Sequence, residues 1–136
     1  LVKGDITPED PTLVRVHIRG DVLRDLVGVT REGESKWTMQ QAMQSVAEEG
    51  KGVVLLLDNG RREDIGAALD RLLGKPVHRR PATHNASGAY LMVGTGSQIL
   101  RDLGVSKMRL LSAPMKFNAI SGFDLEIVEY ISCDES

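Results

Sequence analysis

The chain has 136 residues, of which 41% are hydrophobic and 26% charged, with a formal net charge of −2 and one cysteine, Cys133. This length and composition predict a single soluble domain over residues 1–136. One cysteine excludes an internal disulfide and a zinc site built from several thiolates. The balance of 17 basic against 19 acidic residues leaves no electrostatic footprint for nucleic acid or for a membrane surface. We therefore expect a cytoplasmic domain with neither nucleic acid nor membrane as a partner.

The first half of the chain predicts the end of one strand, two further strands and a helix. Residues 1–3, followed by a Gly-Asp turn, predict the end of a strand excised from a longer chain. Residues 13–17 alternate in character and predict a strand, whereas residues 20–33 lack a clean period and predict a loop. Apolar residues recur at helical spacing from Met39 to Gly50, which predicts a helix beginning at Ser35 or Thr38. Residues 52–57 form an apolar run typical of a strand buried on both faces.

The second half of the chain continues the alternation of predicted strands and helices. A helical stripe covers residues 65–73 and ends at Gly74, and residues 75–88 predict an irregular segment to which we assign no role. A helix over 97–103 ends at Gly104. Strands over 108–111 and 125–131, a short helix over 116–120 and a frayed tail over 132–136 complete the chain. This order predicts an α/β fold, with a largely parallel sheet flanked by helices.

The candidate sites are the segments after residues 16, 57 and 111, because α/β sheets bind ligands beyond the carboxyl ends of their strands. The second segment precedes a helix and carries Arg61 and Arg62, which favours a phosphate site. The alternative is a simple turn at Asn59 and Gly60, with the arginines in solvent and the following acidic residues complementing the helix dipole.

Two further motifs have two interpretations each. Residues 93–97, Val-Gly-Thr-Gly-Ser, are similar to a phosphate loop but lack its Lys-Ser/Thr ending, so a helix start with small residues for close packing is the alternative. Trp37 and Met39 are interpreted as core or staple residues. The three histidines and Cys133 lack the spacing of a metal site, and the acidic neighbours of Cys133 disfavour a reactive thiolate.

Six segments occur in a specific order: Leu-Val-Arg-Val-His at 13–17, Gly-Asp-Val-Leu at 20–23, Ala-Glu-Glu-Gly at 47–50 with Gly-Val at 52–53, Gln-Ile-Leu-Arg-Asp-Leu-Gly-Val at 98–105, Met-Arg-Leu-Leu at 108–111 and Leu-Glu-Ile-Val-Glu at 125–129. Together they closely resemble the GTP cyclohydrolase II domain of riboflavin biosynthesis. The resemblance implies that family's three-layer architecture. It also implies a partner on the same chain, since such a domain often follows a 3,4-dihydroxy-2-butanone-4-phosphate synthase. A homodimer is implied as well, to which exposed faces of Trp37 and Met39 would contribute.

The departures from the family pattern concern the catalytic groups. Active members hold a catalytic zinc with three cysteines, of which one falls here in a deletion after His17 and the other two at Gly33 and Ser35. Without zinc no water is activated to attack the purine ring. Active members also carry an Asp and an Arg as base and nucleophile, and their positions are Ala89 and Leu91. The resemblance therefore implies no catalytic residue, no metal and no cofactor.

Residues at the family's ligand-binding positions survive in part. They are Arg15, His17, Asn59, Gly60, Arg61, Ser112 and Lys116. We expect a catalytically degenerate domain, not itself an enzyme, that serves a fused synthase as a structural, dimerising or regulatory module. The alternatives are residual binding of GTP or a sugar phosphate through the surviving basic side chains, or residual GTP ring-opening activity.

Overall fold

The structure is a computed structural model that describes residues 1–19, 37–58, 65–75, 86–114 and 124–133, with the backbone alone described at 71 and 86–93. The predicted loop over 20–33, the predicted helix over 116–120 and the tail residues 134–136 lie outside these ranges. The elements in chain order are β1 (Val2–Lys3), β2 (Thr12–Arg19), α1 (Met39–Glu49), β3 (Gly52–Asp58), α2 (Ile65–Leu72), α3 (Ala86–Asp102), β4 (Lys107–Leu111) and β5 (Glu126–Ile131).

The described strands form one five-stranded sheet in the order β1-β3-β2-β4-β5. β2, β3, β4 and β5 run parallel to one another, and β1 pairs with β3 in the antiparallel sense. In the centre of the sheet, Val14 of β2 pairs with Val53 on one side and with Leu110 on the other. The predicted α/β fold with a largely parallel sheet is confirmed.

The two faces of the sheet carry separate apolar cores, because side chains alternate between the faces along each strand. The α3-side core contains Val14, Val53, Leu55, Leu57, Leu100, Val105, Met108, Leu110 and Leu125. The α1-side core contains Leu13, Trp37, Ala42, Val46, Val54 and Leu111. Helices therefore cover both faces, as the three-layer expectation requires.

Among the described helices, none is long and apolar enough to cross a bilayer.

α1 begins and ends where the sequence predicts. At its start, the Thr38 hydroxyl accepts from the Gln41 amide at 3.2 Å while the Gln41 side chain accepts from the Thr38 amide at 3.1 Å, which forms a capping box. At its end, Gly50 adopts a left-handed conformation with φ 80° and donates its amide to the Val46 carbonyl. Of the two predicted starting points, Thr38 is the N-cap.

α3 is longer than predicted, since it begins at Ala86 and not at Ser97. Its first three residues were assigned to the irregular segment 75–88, and it runs through the Gly-Thr-Gly stretch, so this stretch is neither a phosphate loop nor a helix start. A Cβ on Gly96 would lie 3.4 Å from methyl carbons of Leu55 and Leu57, an ordinary van der Waals separation, so the packing at this position does not require glycine. The three glycines of α3 obscured the helix because each costs about 1 kcal/mol relative to alanine.

Gly52 lies at the closest approach of α1 to the sheet. A Cβ at this position would lie 2.8 Å from the Leu13 carbonyl oxygen and 2.9 Å from Cγ2 of Val46. We expect Gly52→Ala to lower the free energy of unfolding by about 1–3 kcal/mol, because the added methyl group overpacks this contact. Urea unfolding followed through Trp37, the single tryptophan of the chain, measures the change.

Gly96→Ala is the matched control for this substitution. Its Cβ would make ordinary contacts, and alanine is the better helix former by about 1 kcal/mol, so the stability should stay the same or rise. Equal stabilities of the two variants would contradict the packing argument.

Candidate functional site

The carboxyl ends of the parallel strands lie along one edge of the sheet, which we call the carboxyl edge, and they do not all end at the same level. β2 and β3 end together, with Arg19 in register with Asp58, whereas β4 ends at Leu111. Because Leu110 pairs with Val14, Leu111 is level with Arg15, and residues 16–19 of β2 extend beyond β4. The backbone groups at the end of the shorter strand therefore need partners from side chains.

Arg15 supplies such a partner. It is 8% exposed, its Nη1 donates to the Leu111 carbonyl at 2.8 Å, and its Nη2 donates to the Trp37 carbonyl at 3.3 Å. A buried guanidinium is costly unless it is hydrogen-bonded, and here it satisfies two carbonyls at once. The sequence assigned Arg15 to ligand binding, and the structure places it between the end of β4 and the start of α1, holding both.

His17 is more deeply buried than Arg15, at 2% exposed. It follows Arg15 by two residues in the same strand and so points to the same face of the sheet. Its imidazole is not presented at the surface of this structure. Its assignment to ligand binding stays a prediction.

Arg19 and Asp58 form the charged, solvent-facing part of the edge. Arg19 Nη1 lies 3.8 Å from Asp58 Oδ2, and both side chains are mostly exposed. An ion pair this long and this exposed contributes little to stability, so either partner can exchange it for another contact. Nothing in the sequence points to this pair beyond the position of each residue at the end of a predicted strand segment. The register of β2 with β3 brings the two residues side by side.

Ser112 follows β4 and is buried at the edge. Its hydroxyl donates to the Ala113 carbonyl at 3.0 Å, and its amide lies 2.9 Å from the Leu110 carbonyl and 3.1 Å from the Ile131 carbonyl. The residue thus closes the end of β4 against the end of β5. The hydroxyl that the sequence assigned to ligand binding contacts the adjacent backbone in this structure.

Trp37 and Cys133 lie on the α1 side of the same edge. Trp37 is buried in the α1-side core, and its Nε1 donates to the Ile131 carbonyl at 2.8 Å. The core interpretation of Trp37 is confirmed, and the expectation that it offers an exposed face to a dimer is wrong. Met39 is half-buried and packs on the same core. Cys133 is half-buried there too, with its Sγ 3.9 Å from Oε1 of Gln41.

For the other predicted site residues the structure describes no side chain. Asn59, Gly60, Arg61 and Lys116, together with the metal positions Gly33 and Ser35, lie outside the described residues. Ala89 and Leu91 lie in the first half of α3, where the backbone alone is described. Within the described ranges, no three His, Cys, Asp or Glu side chains are grouped as they would be to hold a metal ion.

A charged network joins three elements on the α1 side of the sheet. Arg109 donates from Nε to Glu129 at 3.0 Å and from Nη1 to Glu49 at 2.8 Å. The hydrogen bond to Glu129 raises the pKa of Arg109 above its ordinary value, and both carboxylates act in the same direction against the opposing effect of burial. Since this guanidinium stays charged at physiological pH, it ties α1, β4 and β5 together and does not act as an acid or a base there.

Comparison with known proteins gives a consistent set of relatives. Residues 1–132 match the family described as GTP cyclohydrolase II. The chain is 53% identical over 135 residues to a 3,4-dihydroxy-2-butanone 4-phosphate synthase of Pseudomonas aeruginosa, covering 98% of this chain and 35% of that protein. It is 34% identical over 137 residues to the riboflavin biosynthesis protein RibBA of Cytophaga hutchinsonii, covering 96% of this chain and 33% of that protein.

A solved structure agrees with these matches. The crystal structure of RibBX, a two-domain 3,4-dihydroxy-2-butanone 4-phosphate synthase from A. baumannii, superposes with a TM-score of 0.61 at 38% identity, covering 98% of this chain and 31% of that one. The chain therefore spans about a third of the length of the relatives it matches.

The burial of Arg15 gives a testable contrast with Arg19, four residues along the same strand. We expect Arg15→Lys to lower the free energy of unfolding by about 1–3 kcal/mol, because a single ammonium nitrogen would replace the two guanidinium nitrogens that reach the Leu111 and Trp37 carbonyls separately. Arg19→Lys makes the same chemical change at an exposed ion pair and should cost at most about 0.5 kcal/mol. Urea unfolding measures both variants, and a cost at Arg19 as large as that at Arg15 would refute the structural role.

Proposed function

Because the chain belongs to the GTP cyclohydrolase II family, we propose that it is a catalytically degenerate member serving a longer riboflavin biosynthesis protein as a structural, dimerising or regulatory module. The observation that carries the proposal is the number of side chains that could bind a zinc ion. The chain has one thiol, that of Cys133, and it packs beside Gln41 of α1. The active members that this chain resembles need three.

The residues present do not fit the family's zinc. Gly33 has no side chain to coordinate a metal, and Ser35 offers a hydroxyl, which binds zinc far more weakly than a thiolate. The half-buried Cys133 belongs to the surroundings of the α1-side core. No step of a hydrolysis can therefore be derived through zinc in this chain.

The proton-transfer groups are missing in the same way. Ala89 and Leu91, at the positions of the family's base and nucleophile, carry no group that could accept a proton or attack a carbon. The described part of the fold, by contrast, has an apolar core on each face of the sheet and a capped α1. A retained scaffold with missing catalytic groups supports a role in the protein to which the domain is fused.

The fused partner is proposed from the relatives. Several of them are 3,4-dihydroxy-2-butanone 4-phosphate synthases or riboflavin biosynthesis proteins in which the matched part is a minor share of the chain. We infer that this domain accompanies such a synthase, in the cytoplasm and as part of a homodimer. In this role the domain contributes stability, subunit contacts or control of the synthase reaction.

Binding of a phosphorylated ligand without chemistry is the second candidate. It is supported by the exposed Arg19 at the carboxyl edge, which is in register with Asp58, three residues before Arg61 in the sequence. It is weakened by Arg15 and Ser112, which make hydrogen bonds to the protein's own backbone.

The first prediction of the proposal concerns metal and turnover. We expect the full-length protein to contain no stoichiometric zinc by mass spectrometry of metals and to open no GTP ring, even with zinc added. An active GTP cyclohydrolase II assayed in parallel is the positive control, and the synthase rate confirms that the preparation is folded. Bound zinc at one equivalent together with GTP turnover would refute degeneracy.

The ligand-binding candidate is decided by titration calorimetry of the same full-length protein with GTP and with ribulose 5-phosphate. If this domain is only a module, GTP gives no heat of binding, and Arg19→Met leaves the ribulose 5-phosphate titration unchanged. A GTP isotherm that Arg19→Met weakens severalfold would favour the second candidate, because the guanidinium is then a phosphate contact.

A further inference from the structure

α2 presents its large apolar side chains to solvent and its small ones to the protein. Ala68 is fully buried and Ala67 is half-buried, whereas Ile65, Leu69 and Leu72 are exposed, as is Leu73 in the turn that follows. A helix that served only to cover its own sheet would have the opposite arrangement, with the large residues inward. We call the exposed residues Ile65, Leu69, Leu72 and Leu73 the α2 stripe.

The α2 stripe is a defined surface. Its members recur at positions i, i+4, i+7 and i+8, which places them on one side of the helix. The helix end is fixed by Gly74 with φ 70°, by the bond from the Leu73 amide to the Leu69 carbonyl at 2.9 Å, and by that from the Lys75 amide to the Asp70 carbonyl at 2.8 Å. Leu73 is thus held beside Leu69.

The size of the stripe decides between possible occupants. Four large apolar residues, each about half exposed, present roughly 300 Å² to a partner, or about 600 Å² counted over both sides. Since somewhat more than half of an interface is apolar, a contact centred on the stripe would bury about 1,050 Å² in total, still below the roughly 1,600 Å² of a stable complex between separate chains. It falls within the range for interfaces between domains of one chain, where the linker supplies a high effective concentration. The area therefore favours an occupant on the same polypeptide over a second copy.

We propose that the α2 stripe is the surface on which the synthase domain of the longer chain docks, through a complementary apolar patch. The proposal rests on the proposed function for the identity of that domain. The relatives are long enough to supply it, since this chain covers 35% and 31% of two of them. The stripe would then be the contact through which this domain stabilises or controls its partner.

Paired variants of the full-length protein test the docking. Leu69→Gln with Leu72→Gln removes the centre of the stripe, and Met43→Gln with Val128→Gln removes two comparably exposed apolar side chains elsewhere, on α1 and β5. The stripe variant should have a larger radius of gyration in X-ray scattering and severalfold faster proteolysis between the domains, at unchanged molar mass. The Met43 and Val128 variant should match the wild type in all three measurements.

Two results would overturn the proposal. One is an unchanged radius of gyration and an unchanged cleavage rate in the stripe variant. The other is a halved molar mass with the compactness of each chain retained, because the stripe would then join two copies.

A measurement on the wild type avoids any dependence on the folding of variants. Leu72 and Leu56 are the same residue type and are both 48% exposed in this domain, but only Leu72 belongs to the stripe. Under hydroxyl-radical footprinting of the full-length protein, Leu72 should be oxidised severalfold more slowly than Leu56. Equal oxidation rates would refute docking at α2.

These outcomes are distinct from those of the proposed function. GTP turnover would refute degeneracy and leave the protection of Leu72 unaffected. A freely exposed Leu72 in a chain without zinc or turnover would overturn the docking alone.

Discussion

The guanidinium of Arg15 fixes the arrangement of the carboxyl edge. β4 ends at Leu111, one residue after its last register pair with β2, which joins Leu110 to Val14, so the Leu111 carbonyl needs a partner on the β2 side. Arg15 donates to that carbonyl and to the Trp37 carbonyl, and the Trp37 indole in turn donates to the Ile131 carbonyl at the end of β5. Two side chains thereby satisfy backbone groups from three segments. Because an unpaired carbonyl there would be costly, these bonds determine where β4, β5 and the approach to α1 lie relative to β2.

This constraint bears on what the edge can do. In parallel α/β sheets the carboxyl edge is where ligands bind, because strand ends and helix starts converge there with unsatisfied polar groups. In this chain Arg15 and the Ser112 hydroxyl contact backbone carbonyls, and Trp37 fills the α1 side. Arg19 and Asp58 form the solvent-facing charged pair. The edge resembles a binding site in its topology, while several of its polar side chains stabilise the fold.

The sequence predicted the parts of the fold that depend on local periodicity. The capped start of α1 at Thr38, its end at Gly50 and the buried run of β3 are each determined by side chains adjacent in the chain. The predicted start of α3 was wrong, because Gly88, Gly94 and Gly96 lower helix propensity locally. The packing of Gly96 against Leu55 and Leu57 depends on tertiary structure, which local propensity does not report. The contacts of Arg15 could not be predicted either, since alternation gives the face of a strand but not the lengths of its neighbours.

The direction in which the apolar side of α2 faces could not be predicted from its periodicity. Periodicity placed Ile65, Ala68, Leu69, Leu72 and Leu73 on one helical stripe, and in a chain that folds alone such a stripe turns inward. The structure divides it, burying Ala68 and exposing the large residues, while the described residues form an apolar core on each face of the sheet. Four exposed large apolar side chains on one side of a helix are typical of a contact surface. The polar edge engaged by its own backbone and the apolar helix turned outward therefore both support the proposal that the domain acts through contact with another domain.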